Sequence, residues 1–132
     1  MTDEQRESGI KVRREVLGDD HVNRAVSATS PFTAPFQDLI TRVAWGEIWA
    51  RPGLDRRTRS LITIALLAGL GHREELAMHV RAALRGGVKP AEIQEVLLHT
   101  AIYAGVPATN RAFAIAQATL AEEGIAEASP DG

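Results

Sequence analysis

Two stretches each carry a histidine beside acids at helical spacing. His72, Glu75 and His79 stand at i, i+3 and i+7, while Glu95, His99 and Tyr103 follow one another at steps of four. Residues so spaced share one side of a helix, so a carboxylate can orient an imidazole in each stretch. Histidine has the unperturbed pKa nearest neutrality, which makes both histidines candidates for proton transfer or ligation. Leu76, Val80 and Ala83 flank His79 and predict an inward-facing side chain rather than a solvated Glu–His surface pair. His99 taken alone reads as a hydrogen-bonded core or interface histidine, and the second histidine helix is what raises it to a candidate. The chain contains no cysteine, which excludes thiol chemistry.

Arg56, Arg57 and Arg59 open a helix, where free amides and the positive dipole end already favour an anion. Arginine is a poor choice for stabilising a helix start, so at least one of the three is expected to serve a carboxylate ligand; the alternative is an exposed basic turn or an intersubunit ion pair. Trp45 and Trp49, with Phe32 and Phe36, serve core or oligomer packing, and Trp45 could also wall a pocket. His79, Glu75 and His99, with His72 as a fourth candidate, are also ordinary zinc or iron ligand types, but they lack the His-Glu-x-x-His spacing of a specific metal motif. Gly69-Leu70-Gly71 reads as a helix terminus; there is no phosphate-binding glycine loop and no serine elbow.

The elements that must position these residues are helical, since apolar residues recur at helical spacing and no alternating run appears. A length of 132 residues predicts one domain, and with only 5% aromatics its core must be built from Ala, Leu, Ile and Val. The expected helices run from a Thr2 cap to about Leu17, from His21 to Ala28, from about Phe36 to Ala50, from Arg56 to Gly69 behind Asp55, from Arg73 to Arg85, from Pro90 to Tyr103, and from Pro107 to near Gly124. Ser30 to Pro35 is expected to be a connector and Ala126 to Gly132 a frayed tail. The result is an all-α bundle of six or seven helices. A formal charge of −2 gives no general pull toward nucleic acid or an anionic membrane. The charged start and the short apolar run Leu61–Leu70 predict a soluble, cytoplasmic chain.

Three segments carry a resemblance: Leu54-Asp55-Arg56-Arg57-Thr58-Arg59-Ser60-Leu61, Glu75 to Leu84, and Glu92 to Pro107 around His99. Together they closely resemble the 4-carboxymuconolactone decarboxylase family, from about Pro31 to Leu120. The resemblance implies the all-helical alkylhydroperoxidase D-like fold and assembly as trimers or hexamers. In the peroxidase branch of that fold the motif is Cys-x-x-Cys-x-x-x-His, with a glycine eight residues past the histidine. His79 precedes Gly87 by eight and matches that histidine, while His72 and Glu75 stand where the cysteines would be. Without cysteine a thiol peroxidase is impossible, and the decarboxylase branch normally lacks those cysteines.

The implied reaction is the cofactor-independent decarboxylation of 4-carboxymuconolactone to 3-oxoadipate enol-lactone in protocatechuate catabolism. The substrate drains the electrons of the broken bond into its own carbonyl, so neither a metal nor an organic cofactor is expected. On this reading His79, oriented by Glu75, stabilises the oxyanion or protonates the ring. His99 and Tyr103 are second-line donors, and Arg59, with Arg56 second, binds the acetate arm. Trp45 and His72 complete the expected binding set. A noncatalytic oligomeric or ligand-binding module of the same fold is the alternative.

Overall fold

A computed structural model describes residues 3–126; the expected Thr2 cap and residues 127–132 of the expected tail lie outside them. Among the described residues the chain is all-helical, with seven α-helices and one π-helix. It divides into two compact units, Met1–Arg56 and Arg57–Gly132.

In the first unit, α1 (Asp3–Leu17) stops where Gly18 adopts φ 90°, a backbone angle that disfavours any residue with a Cβ. Helix α2 (Asp19–Ala28) follows at once, two residues earlier than the sequence predicts, and carries Asp19 and Asp20 in its first turn. The sequence also predicts one helix from about Phe36 to Ala50, and here the structure differs. Helix α3 (Ala34–Leu39) takes Pro35 into its first turn, where a missing N–H costs nothing, so Pro35 belongs to the helix and not to a connector. From Ile40 to Ile48 the backbone is a π-helix, and Trp49 N–H donates to the Ala44 carbonyl five residues back at 2.9 Å.

The packing accounts for the wider helix. Trp45 and Trp49 stack with ring centroids 5.1 Å apart, and Gln5 Nε2 donates to the Arg42 carbonyl at 3.0 Å. Glycines let two backbones meet: a Cβ on Gly9 would lie 2.0 Å from the Thr41 carbonyl oxygen, and one on Gly46 would lie 2.5 Å from that of Gln5. Helix α1 and the π-helix therefore touch main chain to main chain.

The second unit holds α4 (Arg56–Leu70, whose first residue closes the first unit), α5 (Arg73–Arg85), α6 (Pro90–Ala104) and α7 (Val106–Glu122). Its core joins Ile64 and Ala68 of α4, Leu76, Val80 and Ala83 of α5, Ile93 and Leu97 of α6, and Ala112 and Ala116 of α7. As the composition predicts, small aliphatic residues carry this core. Gly105, at φ 102°, is the whole connection between α6 and α7. Arg81 reaches Glu122 at 2.9 Å, and Arg85 binds Glu123 through two hydrogen bonds of 2.6 and 3.1 Å, fastening α5 to the end of α7. Among the described residues no helix is long and apolar enough to cross a membrane.

Gly9→Ala should destabilise the first unit by roughly 1–3 kcal/mol, because the added methyl meets a carbonyl held in place by its own helix. The urea midpoint of the variant measures this; an unchanged midpoint would contradict the backbone contact.

Candidate active site

The site is best built from α5. Leu76, Val80 and Ala83 form its buried ridge, and the adjacent His79 is partly buried. Glu75, one turn earlier, is exposed, and His72 is the exposed N-cap residue, whose side chain makes no capping hydrogen bond. Helical spacing keeps Glu75 and His79 on one side, while His72, the N-cap at φ −84° and ψ 83°, lies outside the helix proper.

Helix α6 buries Ile93, Leu97 and Thr100, which turns the Glu95–His99–Tyr103 side away from the core. His99 is therefore exposed within one chain rather than a core histidine; its ring lies 5.2 Å from that of Tyr103, at 34°. Leu98 and Ile102 share this outward surface at 50% and 79% exposure. On α4, Ile62, Leu66 and Leu70 form a second exposed apolar row. A Cβ on Gly69 would lie 3.2 Å from that of Ala104, so α4 and α6 approach closely beside these two rows.

The basic start of α4 resolves into different environments. Arg56 donates to Glu15 at 2.6 Å, and Arg57 pairs with Glu92; both contacts lie within one chain, not between subunits. Arg59 is partly buried. Trp45 is buried against Trp49 in the first unit, which also contains Arg56, whereas the other candidates belong to the second.

Two cavities of the second unit are lined by other residues. One of about 270 Å³ lies among α4, α5 and α7, with Leu67, Leu76 and Ile115 as apolar wall and Arg73 and Arg111 as its cations. Sequence reading did not single out these two arginines; their only signal was position, each lying within the first two turns of a helix. Another, of about 350 Å³, lies between α6 and α7 and is lined by apolar residues with Gln94, Asn110 and Gln117. Among the described residues no three His, Cys, Asp or Glu side chains converge as a metal site, so the metal reading of His79, Glu75 and His99 gains no coordination geometry.

An all-helical chain with a histidine–glutamate helix edge and no cysteine fits one branch of helical enzymes, and residues 34–118 match the Carboxymuconolactone decarboxylase family. The chain belongs to that family. It is 50% identical over 127 residues to a 4-carboxymuconolactone decarboxylase of Acinetobacter baylyi, covering 96% of this chain and 95% of the relative. It is also 46% identical over 114 residues to a nitrosuccinic acid decarboxylase of Metarhizium robertsii, covering 86% and 80%. A 4-carboxymuconolactone decarboxylase sequence from Pseudomonas putida matches in full over 48 residues at 46% identity, or 36% of this chain.

Glu92 links α4 to the start of α6. Its carboxylate accepts from the Lys89 backbone N–H at 3.0 Å and pairs with Arg57, and these contacts, the backbone one first, hold its pKa below the ordinary value of 4.5. A carboxyl that ionises more readily when folded stabilises the fold above its unfolded pKa; that contribution is lost as pH falls through the folded value. Glu92→Gln should therefore lower the urea midpoint at roughly pH 6, and the gap to the parent should close on acidification below about pH 4. A gap independent of pH would contradict the ionic role.

Proposed function

We propose that the chain is a cofactor-independent carboxy-lyase that converts 4-carboxymuconolactone to 3-oxoadipate enol-lactone in cytoplasmic aromatic catabolism. The observation that carries this reading is 50% identity to a decarboxylase of that name along nearly the whole chain. The chemistry suits these residues. When the ring carboxylate leaves as carbon dioxide, its bonding electrons shift through the ring double bond onto the lactone carbonyl oxygen. A proton then adds at the carbon alpha to that carbonyl, giving the enol-lactone.

His79 is the proposed donor to this dienolate, set by the α5 ridge and oriented by Glu75. His99 and Tyr103 are second-line donors, and His72 and Trp45 belong to the proposed surroundings of the substrate. Arg59 is the proposed partner of the acetate arm; Arg56, engaged by Glu15, ranks behind it. The substrates named for the two long relatives share one unit: in each, the carbon that can lose a carboxylate also bears a CH2–carboxylate arm. A nitro group accepts the electrons in one and a vinylogous carbonyl in the other, so recognition is expected to centre on the arm.

The enzyme is also proposed to be a homo-oligomer. The exposed rows Ile62–Leu66–Leu70 and Leu98–Ile102 support this, being an apolar surface of the kind that a second copy covers. His99 and Tyr103 lie within that surface, so a partner would also close the site around them. Sedimentation should give a multiple of the 14.3 kDa chain, and Ile102→Asp should reduce it; a monomeric parent chain would refute the assembly.

Purified protein incubated with 4-carboxymuconolactone should release carbon dioxide as the ultraviolet absorbance falls. His79→Ala should lower kcat by about 10²-fold or more, the usual contribution of a positioned acid. Glu75→Gln should lower it less, and Arg59→Ala should act mainly on KM. Wild-type rates from both His79→Ala and Glu75→Gln would refute the assignment, and no turnover by the parent chain would refute the function.

A further inference from the structure

Arg13 is an anomaly in the first unit. It is 7% exposed, yet its Nη1 donates only to the neutral Gln37 Oε1 at 3.1 Å, and its buried Nε has no hydrogen-bond partner. The neighbouring acid, Asp38, is already taken: Arg6 binds one carboxylate oxygen and Arg42 the other, at 2.7 Å. Burying a guanidinium without an anion is costly, because water is removed and no opposite charge replaces it.

Part of Arg13 nevertheless borders open space. It lines a groove of about 430 Å³ with Thr41 and Gln37 beside it and Ile10, Val22 and Val26 along the apolar side. A carboxylate fits the guanidinium fork, and an apolar body would cover the three aliphatic side chains. We propose that this groove is a binding site for a small organic carboxylate with an apolar body, anchored on Arg13. Its lining includes none of the candidate residues of α5 and α6.

The probe is sodium benzoate, titrated into the 132-residue chain by calorimetry with sodium chloride matching the ionic strength. Benzoate should bind saturably at one per chain, and inorganic phosphate, which lacks the apolar body, at least about tenfold more weakly. Arg13→Gln should weaken benzoate about tenfold or more. Should that variant fail to fold, Val26→Trp, which fills the groove from a half-exposed position, should do the same while leaving Arg13 in place. Benzoate binding unchanged in either folded variant, or no saturable binding to the parent chain, would overturn the proposal. So would Arg13→Gln reducing the sedimenting mass while the parent chain ignores benzoate, because the carboxylate would then come from a second copy. The readout is binding, so it stands or falls apart from decarboxylation.

Discussion

The burial of Leu76, Val80 and Ala83 is the constraint on which the second unit depends. These residues meet Ile64 and Ala68 of α4 and Ala112 and Ala116 of α7 in one core, and Val80 and Ile64 are fully enclosed. With these positions filled, α5 cannot rotate about its axis without opening a void, which costs several kcal/mol for residues of this size. Rotation is what would move His79 and Glu75. The candidate site therefore takes its direction from the apolar ridge beside it on its own helix.

Polar groups inside the helices are handled locally. Thr41, Thr100, Thr109 and Thr119 are all buried, and each hydroxyl donates to the carbonyl four residues earlier, at 2.7 to 3.0 Å. Such bonds remain within one helix and leave the contacts between helices apolar. Charged side chains pair where they are partly exposed, as in Arg57–Glu92 and Arg85–Glu123. Arg13 departs from both habits, since it is buried, charged and answered only by an amide.

How much the sequence discloses depends on whether a feature is local. Helix α5 begins and ends at the residues its spacing predicts, and α6 and α7 do so to within a residue or two, because proline and glycine punctuate them. The π-helix was not legible: it packs against α1 through Gly9 and Gly46, and Gly9 and the Thr41 carbonyl that it meets are 32 residues apart along the chain. His79 reads as inward-facing in the sequence and is partly buried in the structure, a match as close as it is because its apolar neighbours lie on its own helix. His99 reads as a core or interface histidine, and only the core reading fails, because His99, like Leu98 and Ile102, faces outward in the single chain. The arginines at the start of α4 show the same limit: their misfit with the helix dipole was visible, but Glu15 and Glu92, which account for Arg56 and Arg57, belong to other helices.

A substrate that accepts its own electrons removes most of the chemical burden from the protein and leaves a geometric one. The breaking carbon–carbon bond has to stand across the plane of the acceptor system, or its electrons cannot enter it, and the proton must arrive at one particular carbon. Both requirements concern the distance between a carboxylate anchor and a donor. In the proposed assignment the anchor is on α4 and the donor on α5, two helices locked together by Ile64, Ala68, Leu76 and Val80. A separation set by a shared core varies less than one set by loops, and a positioning error of about 1 Å can cost about 10²-fold in rate. A small all-helical chain can therefore supply what this reaction demands with rigidity and two or three polar side chains.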